Sequence, residues 1–309
     1  TGADKVWTGY EYIVDNIGVI DGGANPGASA AATDIIWGWD GLTSARDSLE
    51  VAAGSTAVIG LLRGQTDWVA GDTVDLRTGV NNAGTVIVSA GAGSNIVYGS
   101  AGADYIYGSA GAGETNQVWG GAGADQFNVG ISREAVSGSL TTIEVSRDLI
   151  WDWQQGTDLI TTGSKGIAVI AGQMSTADWS GENTVSLASN VTNYGTIVIA
   201  LGNGNDTFTG SSGKDHVYGG IGTNLIAGGD GVDHFYVGFN YDAVAGTRSE
   251  LGPADDAIDV IQDWQDADDL TVGTRGQAII GGLYVPSGTL WGGNDSINVS
   301  HATNNGIIK

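Results

Sequence analysis

The sequence contains no cysteine, and this absence removes several kinds of chemistry at once. Without a thiol the chain can form no disulfide, no thiolate metal site and no cysteine nucleophile. Proline is also rare, with 3 residues in 309, and the 53 glycines show no triplet period, so they do not form a collagen-like helix. No run of 18 apolar residues occurs, and we therefore expect no membrane-spanning helix.

Basic residues are scarce as well. The chain has 11 Lys and Arg against 35 Asp and Glu, which gives a formal net charge of -24. A chain this acidic repels nucleic acid and attracts cations. We therefore expect a cation as ligand and no nucleic-acid partner.

Signatures of catalysis are missing too. The sequence has neither an H-E-x-x-H zinc motif nor a G-x-S-x-G nucleophile elbow. Its three histidines are His216, His234 and His301. The first two directly follow aspartates at the start of predicted strands, where we expect exposed positions on the surface. We predict that the chain is not an enzyme.

Glycine is abundant, and it recurs with aspartate in a nine-residue rhythm. The stretch GNGNDTFTGSSGKDHVYGGIGTNLIAGGDGVDHFYVG covers residues 202–238, and its recurring polar positions are Asp206, Asp215, Asn224 and Asp233. A similar stretch covers residues 91–130, with its spacing interrupted by the letters AGE, and its recurring positions are Asn95, Asp104, Asn116 and Asp125. Each nonapeptide divides into a glycine-rich turn and a short strand whose central apolar residue points inward.

This rhythm places carboxylates next to one another. A segment of nine residues reverses the chain, so turns on the same side of the fold are two segments apart. Asp206 should then lie near Asn224, and Asp215 near Asp233. Carboxylate and carbonyl oxygens that converge in flexible turns suit Ca²⁺ better than Mg²⁺, which demands a tighter octahedron. The alternative is a glycine-rich β-hairpin array without metal.

A longer repeat contains the nonapeptides. The segments QTDWVAGDTVDL, TADWSGENTVSL and GTLWGGNDSINV begin at residues 65, 176 and 288, so the period is 111 to 112 residues. We divide the chain into the end of one repeat (1–33), two full repeats (34–147 with block 91–130, and 148–258 with block 202–238), and the beginning of another (259–309). Short β-branched segments predict an all-β chain, and the best helical candidate, residues 131–137, gives at most a turn or two.

The nonapeptide resembles G-G-x-G-x-D-x-U-x, the repeat of the RTX (repeats-in-toxin) family. The resemblance implies parallel β-roll blocks that alternate with short β segments in an elongated, solenoid-like fold, with Ca²⁺ bound in the turns. The implied calcium ligands are Asp104, Asp125, Asp206, Asp215, Asn224 and Asp233. Asn95 and Asn116 take the ligand position in the first block, but they depart from the aspartate of the pattern.

The segment after each block also resembles the family. DLIWDWQQGTDLI (148–160) and DAIDVIQDWQDADDL (256–270) are similar to the I-x-D-F-x-x-G-x-D segment that closes many RTX rolls. The resemblance implies four further ligands: Asp152, Asp158, Asp263 and Asp269.

Two functions fit this pattern. The first is a calcium-binding structural repeat of a secreted or cell-surface protein, such as a surface layer, sheath, filament or adhesin, which self-associates head-to-tail or in a lattice with Ca²⁺. The second is a carrier or carbohydrate-binding module of a longer secreted enzyme, with cell-surface polysaccharide as its partner. The second would use a strip of exposed aromatic residues formed by Tyr98, Tyr105, Tyr107, Trp119, Tyr218 and Tyr236.

Overall fold

A computed structural model of the chain describes residues 5–8, 33–37, 48–51, 53–60, 73–91, 93–108, 114–134, 137–143, 146–170, 181–265, 267–281 and 302–309. All thirty regular elements in these segments are β-strands, as the sequence predicted. The chain divides into two compact units, Thr1–Ala168 and Val169–Lys309. The predicted repeat boundaries at 34, 148 and 259 follow the sequence period and stay predictions.

The strands of unit 1 are short and follow one another closely. They are β1 Lys5–Thr8, β2 Thr33–Trp37, β3 Ser48–Val51, β4 Thr56–Gly60, β5 Thr73–Asp75, β6 Val80–Asn82, β7 Thr85–Ser89, β8 Ile96–Tyr98, β9 Ala103–Gly108, β10 Thr115–Trp119, β11 Gln126–Val129, β12 Ile131–Arg133, β13 Leu140–Thr142, β14 Ser146–Ile150 and β15 Leu159–Thr162. Strand β16, Gly166–Ile170, spans the boundary between the units.

Unit 2 has the same construction. Its strands are β17 Thr184–Ser186, β18 Val191–Asn193, β19 Thr196–Ala200, β20 Thr207–Thr209, β21 Lys214–Tyr218, β22 Gly222–Ala227, β23 His234–Val237, β24 Phe239–Asp242, β25 Thr247–Glu250, β26 Ala257–Ile261, β27 Asp269–Val272, β28 Gly276–Ile280, β29 Ala302–Asn304 and β30 Ile307–Ile308.

Successive strands alternate between parallel sheets. In unit 1, β5, β8, β10 and β14 pair in that order in one sheet, and β7, β9, β11 and β15 pair in another. In unit 2, β20, β22, β26, β28 and β30 form part of one sheet, and β19, β21, β23, β27 and β29 form part of another. A chain that crosses from one sheet to the other at every turn forms a parallel β-roll, which confirms the predicted fold class.

The inward apolar positions form the core of each roll. The predicted inward residues Val97, Ile106, Val118, Phe127, Phe208, Val217, Ile226 and Phe235 are all at most 2% exposed. Parallel register stacks them on one another, because Ile106 pairs with Phe127 and Val217 pairs with Phe235. Burying one large apolar side chain stabilises the fold by about 1.5–3 kcal/mol, so these stacks hold the two layers together.

An antiparallel hairpin interrupts the roll of each unit directly after the nonapeptide block, and the nonapeptide pattern did not predict it. Strands β12 and β13 form the first hairpin, and β24 and β25 form the second. The predicted helical turn at 131–137 is wrong over Ile131–Arg133, which is strand β12. The second hairpin covers the outside of its roll, since Tyr241 stacks on Tyr218 at 4.7 Å and the guanidinium of Arg248 lies 4.7 Å from the ring centroid of Tyr236.

Candidate calcium sites

The polar residues of the nonapeptides stack into columns along the edges of the two rolls. We name four columns by their residues. The unit 1 aspartate column is Asp104, Asp125 and Asp158, and the unit 1 asparagine column is Asn95, Asn116 and Asp148. The unit 2 aspartate column is Asp215, Asp233 and Asp268, and the unit 2 mixed column is Asp206, Asn224 and Asp259. All twelve residues are at most 2% exposed.

Hydrogen bonds from main-chain N–H groups to side-chain carboxylates hold each aspartate column in register. In unit 2 the Asp215 N–H donates to Asp233 Oδ1 at 2.9 Å, and the Asp233 N–H donates to Asp268 Oδ1 at 3.0 Å. In unit 1 the Asp104 N–H donates to Asp125 Oδ1 at 2.9 Å, and the Asp125 N–H donates to Asp158 Oδ1 at 3.0 Å. The predicted stacking of turns two segments apart is therefore present in the structure.

Glycine permits this close stacking of turns. Gly220 and Gly222 have positive φ angles of 75° and 123°, which disfavour other residues. A Cβ atom built on Gly220 would lie 1.8 Å from the Gly202 carbonyl oxygen, and one on Gly222 would lie 1.8 Å from the Gly204 carbonyl oxygen. Each turn thus presents its carbonyl oxygens to the next turn, which no residue with a side chain would allow.

The first aspartate of each aspartate column is well satisfied. Asp104 Oδ2 accepts the Ser100 N–H at 2.6 Å and the Ser100 hydroxyl at 2.9 Å. Asp215 Oδ2 accepts the same two groups from Ser211, at 2.7 and 2.8 Å. The last residue is satisfied as well, since Asp158 Oδ2 accepts the Gln154 N–H at 2.8 Å.

The middle aspartate is different. Asp125 Oδ2 and Asp233 Oδ2 are buried and have no hydrogen-bond partner, and the same holds for Asp206 Oδ2 and Asp259 Oδ2 in the mixed column. A buried carboxylate oxygen without a partner is strongly destabilising unless a cation or a proton meets it. These oxygens therefore fit a hard cation such as Ca²⁺.

The electrostatics of the columns point the same way. Burial raises the pKa of Asp125 to about 7, and burial, followed by the charges of Asp215, Asp268 and Asp263, raises the pKa of Asp233 to about 9. Burial likewise raises the pKa values of Asp104 and Asp215 to about 7. The sequence supplies only 11 basic residues. A divalent ion is the counter-charge that would return these carboxyl groups to their ionised form.

Carboxylates alone do not complete such a site. Within the described segments, no three His, Asp or Glu side chains are arranged to hold a metal ion. Ca²⁺ takes six to eight oxygen ligands, so an ion in a column would take the remainder from the carbonyl groups of the stacked glycine turns. Asp125, Asp233 and their neighbours in the aspartate columns would supply the charge, and the turns would supply the coordination number.

The first aspartate of each closing segment accepts hydrogen bonds from the main chain of a glycine turn. Asp152 accepts the N–H groups of Gly120 and Gly121 at 2.8 and 2.9 Å. Asp263 accepts those of Gly228 and Gly229 at the same distances in unit 2. Both carboxylates therefore cap main-chain donors of the preceding turn, and their role as calcium ligands stays a prediction.

One predicted ligand lies elsewhere. Asp269 is outside the columns, with its side chain 40% exposed and its Oδ2 atom 3.8 Å from His234 Nδ1. Its neighbour Asp268 takes the place that Asp158 has in unit 1. The sequence pattern predicted Asp269 instead of Asp268 because the closing loop is one residue shorter in unit 2. It runs from Asp263 to Asp268, whereas the loop of unit 1 runs from Asp152 to Asp158.

Two further column residues were not predicted. Asp148 Oδ1 accepts the Asn116 side-chain amide at 2.8 Å, and Asp259 Oδ1 accepts that of Asn224 at 2.7 Å. Burial raises the pKa of both aspartates to about 7. A signal was present in the sequence, since each is followed two residues later by a buried isoleucine, as in a nonapeptide, although no glycine turn precedes it.

The histidines are less exposed than predicted. His216 and His234 point outward from the roll but are half-buried, and burial lowers the pKa of each to about 4. His301 lies outside the described residues. Among the aromatic residues, Tyr107, Tyr218 and Tyr236 are at most 8% exposed.

Comparison with known proteins agrees with the columns. A family model described as the RTX calcium-binding nonapeptide repeat, in four copies, matches residues 87–114, 113–131 and 201–235. No curated protein is significantly similar to the chain. The chain therefore carries RTX calcium-binding nonapeptide repeats, and these bind Ca²⁺. The matched segments contain the recurring Asp and Asn of both blocks but none of the closing aspartates.

The repeats indicate a calcium-binding repeat region of a secreted protein, because proteins with this nonapeptide are typically secreted. In the part of the chain that the structure describes, no helix could cross a membrane.

Proposed function

We propose that the chain is a structural, non-catalytic repeat region of a secreted or cell-surface protein, of the surface-layer, sheath, filament or adhesin type, that folds and self-associates with Ca²⁺. The observation that supports this proposal is the duplication of every part of the site. Asp125 and Asp233 are equivalent unpartnered carboxylates, and Asp152 and Asp263 are equivalent turn caps. Such duplication favours a module that is used in series over a single binding site.

Open sheet edges support self-association. Among the residues that the structure describes, strands β29 and β30 lie at the edges of the two sheets that form the roll of unit 2, and Ile307 in β30 is 52% exposed. An edge strand offers a row of backbone donors and acceptors to another strand. An edge-to-edge contact between copies of the chain propagates linearly when the two surfaces differ. Calcium would favour the contact because it orders the turns and reduces the repulsion between chains of charge -24.

Sedimentation velocity tests this proposal. The chain should sediment as larger species in millimolar Ca²⁺, and as an expanded monomer in chelator or in Mg²⁺ alone. Ile307→Lys places a charge on the edge and should reduce assembly without changing the number of bound ions. Val244→Lys is the matched control, because Val244 is 60% exposed at the tip of a hairpin and not on a sheet edge. A folded, calcium-loaded chain that stays monomeric at every concentration would refute the assembly.

The alternative, a carbohydrate-binding module, gains little support from the aromatic residues. Tyr98 and Trp119 stack on each other at 4.6 Å, and the guanidinium of Arg77 lies 3.7 Å from the ring centroid of Tyr98. Trp119 also stacks on Trp151 at 5.9 Å, so the ring faces of Tyr98 and Trp119 are occupied, whereas sugars stack on free ring faces. A glycan array with calcium checks this: binding to a cell-surface polysaccharide that is lost in Trp119→Ala would favour the alternative.

A further inference from the structure

The unit 1 asparagine column is built from carboxamides where the RTX pattern has carboxylates. The Asn95 side-chain amide donates to the carbonyl oxygens of Ala90, Gly91 and Gly93, at 2.9, 3.3 and 3.2 Å. An amide group carries two donor hydrogens and no charge, so it can satisfy carbonyl oxygens that converge in a turn. At this turn the hydrogen atoms of the Asn95 amide, which carry partial positive charge, contact the carbonyl oxygens that a cation would otherwise contact.

The next residue of the column continues this arrangement. Asn116 Oδ1 accepts the Asn95 N–H at 2.9 Å, which is the same bond that holds the aspartate columns in register. The Asn116 amide then donates to Asp148 Oδ1 at 2.8 Å. Asp148 Oδ1 also accepts the hydroxyl of Ser146 at 3.3 Å. Both carboxamides of the column are therefore used as donors inside it.

The aspartate column of the same unit has no such donor at its centre. Asp125 Oδ2 is among the buried side-chain atoms that lack a hydrogen-bond partner, whereas no side-chain atom of Asn95, Asn116 or Asp148 is among them in the described residues. The two columns of unit 1 thus have opposite needs. The aspartate column contains a buried carboxylate oxygen, Asp125 Oδ2, that has no hydrogen-bond partner. In the asparagine column, side-chain amides donate hydrogen bonds to the turn carbonyl oxygens and to Asp148 Oδ1.

We propose that calcium occupies the unit 1 aspartate column and that the unit 1 asparagine column holds no ion in the calcium-loaded roll, where the side-chain amides of Asn95 and Asn116 take the place of the ion. This proposal rests on calcium binding by the repeats and is independent of the assembly proposed above. The mixed column of unit 2 is intermediate, because Asn224 donates to Asp259 while Asp206 Oδ2 lacks a partner.

Counting ions on the whole chain by native mass spectrometry at saturating calcium tests the proposal. Asn116→Asp replaces the donor that faces Asp148 with a second carboxylate, so the variant should bind one ion more than the parent. Asp125→Asn should bind at least one ion fewer. Gln117→Glu is the matched control, because it adds the same charge one residue away on a half-exposed side chain that faces out of the column, and its count should equal that of the parent.

An ion count for folded Asn116→Asp equal to that of the parent would overturn the proposal, because it would show that the Asn116 amide does not take the place of an ion. Anomalous scattering from crystals of the calcium-loaded parent tests the same point without any substitution. We expect a calcium peak beside Asp125 and none between Asn95 and Asn116, and a peak in the asparagine column would overturn the proposal even if Asn116→Asp failed to fold.

Discussion

Replacing Asp233 with asparagine should change the roll in opposite directions with and without calcium. Asparagine keeps the Oδ1 atom that accepts the Asp215 N–H, so the register of the column is preserved. It also replaces the unpartnered Oδ2 atom with an amide, as Asn224 does in the adjacent mixed column, where its amide donates to the Gly219 carbonyl oxygen at 3.0 Å. The substitution therefore removes the cost of burying this carboxyl group in the metal-free roll without removing a contact.

The magnitude follows from the pKa of Asp233, which rises from 3.8 to about 9 in the folded chain. At pH 7.5 the unfolded carboxylate must take up a proton for the metal-free roll to form. One pH unit corresponds to about 1.4 kcal/mol, so a gap of almost four units gives an upper limit of about 5 kcal/mol. Solvent near the turn screens part of this, and we expect the metal-free variant to gain about 2–3 kcal/mol in free energy of unfolding.

With calcium the same change should weaken binding by about tenfold or more, since the ion loses a negative ligand. Urea unfolding in chelator, with the same concentration of a stabilising osmolyte added to parent and variant so that both metal-free chains fold, measures the first effect at pH 7.5. Calcium titration by calorimetry at the same pH measures the second. Asp230→Asn is the matched control, because Asp230 lies in the same turn but is exposed. If Asp233→Asn behaved like Asp230→Asn in both assays, Asp233 would be neither a buried charge nor a calcium ligand.

Three other predictions follow from the columns and turns. Chelation of the parent at pH 7.5 should abolish its β-sheet circular dichroism and expand the chain, because binding energy is then folding energy, and full retention of structure in excess chelator would contradict this. Structure in chelator should return as the pH falls from 8 to 5, since the raised pKa values of Asp148 and Asp259, about 7, stabilise the fold below that pH and this stabilisation is lost above it. A dichroism signal in chelator that does not change with pH would show that these carboxyl groups are not buried in the metal-free state. Gly220→Ala should prevent the roll from closing, because its Cβ atom would lie 1.8 Å from the Gly202 carbonyl oxygen. The control is Gly156→Ala, where φ is a similar 78° and no atom lies within 4 Å of the new Cβ, so the free energy of unfolding should fall by only about 1–2 kcal/mol. Thermal unfolding measures both variants. Equal melting temperatures for the two variants would contradict the stacking of the turns.

The period of nine residues was sufficient to predict the strands, their inward residues and the stacking of Asp215 with Asp233. These features depend only on local geometry, since a glycine turn and an alternating strand repeat with the sequence. The column position of Asp268 could not be predicted in the same way, because it depends on the length of a closing loop whose path the pattern does not specify. Asp148 was missed for a related reason, since no glycine turn introduces its strand.

The surroundings of the outward-facing side chains were also beyond the pattern. His234 and Tyr236 occupy outward positions, which a roll by itself would leave exposed. The ring of His234 stacks on that of Tyr236 at 3.9 Å, and the hairpin β24–β25 covers Tyr236, because Arg248 on that hairpin lies over its ring. Covering of this kind depends on a segment outside the nonapeptides, and its folding back onto the sheet is a tertiary contact that the nine-residue period does not encode.

The connection that follows each hairpin has a consequence for how this chain can change in length. Asn116 and Asp148 are bonded neighbours separated by 32 residues, while their equivalents Asn224 and Asp259 are separated by 35. The 3 additional residues leave the pairing of the strands on either side unchanged, because Val118 faces Ile150 in unit 1 just as Ile226 faces Ile261 in unit 2. The two hairpins are equally long, since Ile131 pairs with Thr142 and Phe239 pairs with Glu250, so the additional residues lie between Leu251 and Asp259. The chain already tolerates insertion in this connection, and a foreign peptide placed at the exposed residues Pro253 and Ala254 would be displayed outside the roll without shifting a calcium ligand.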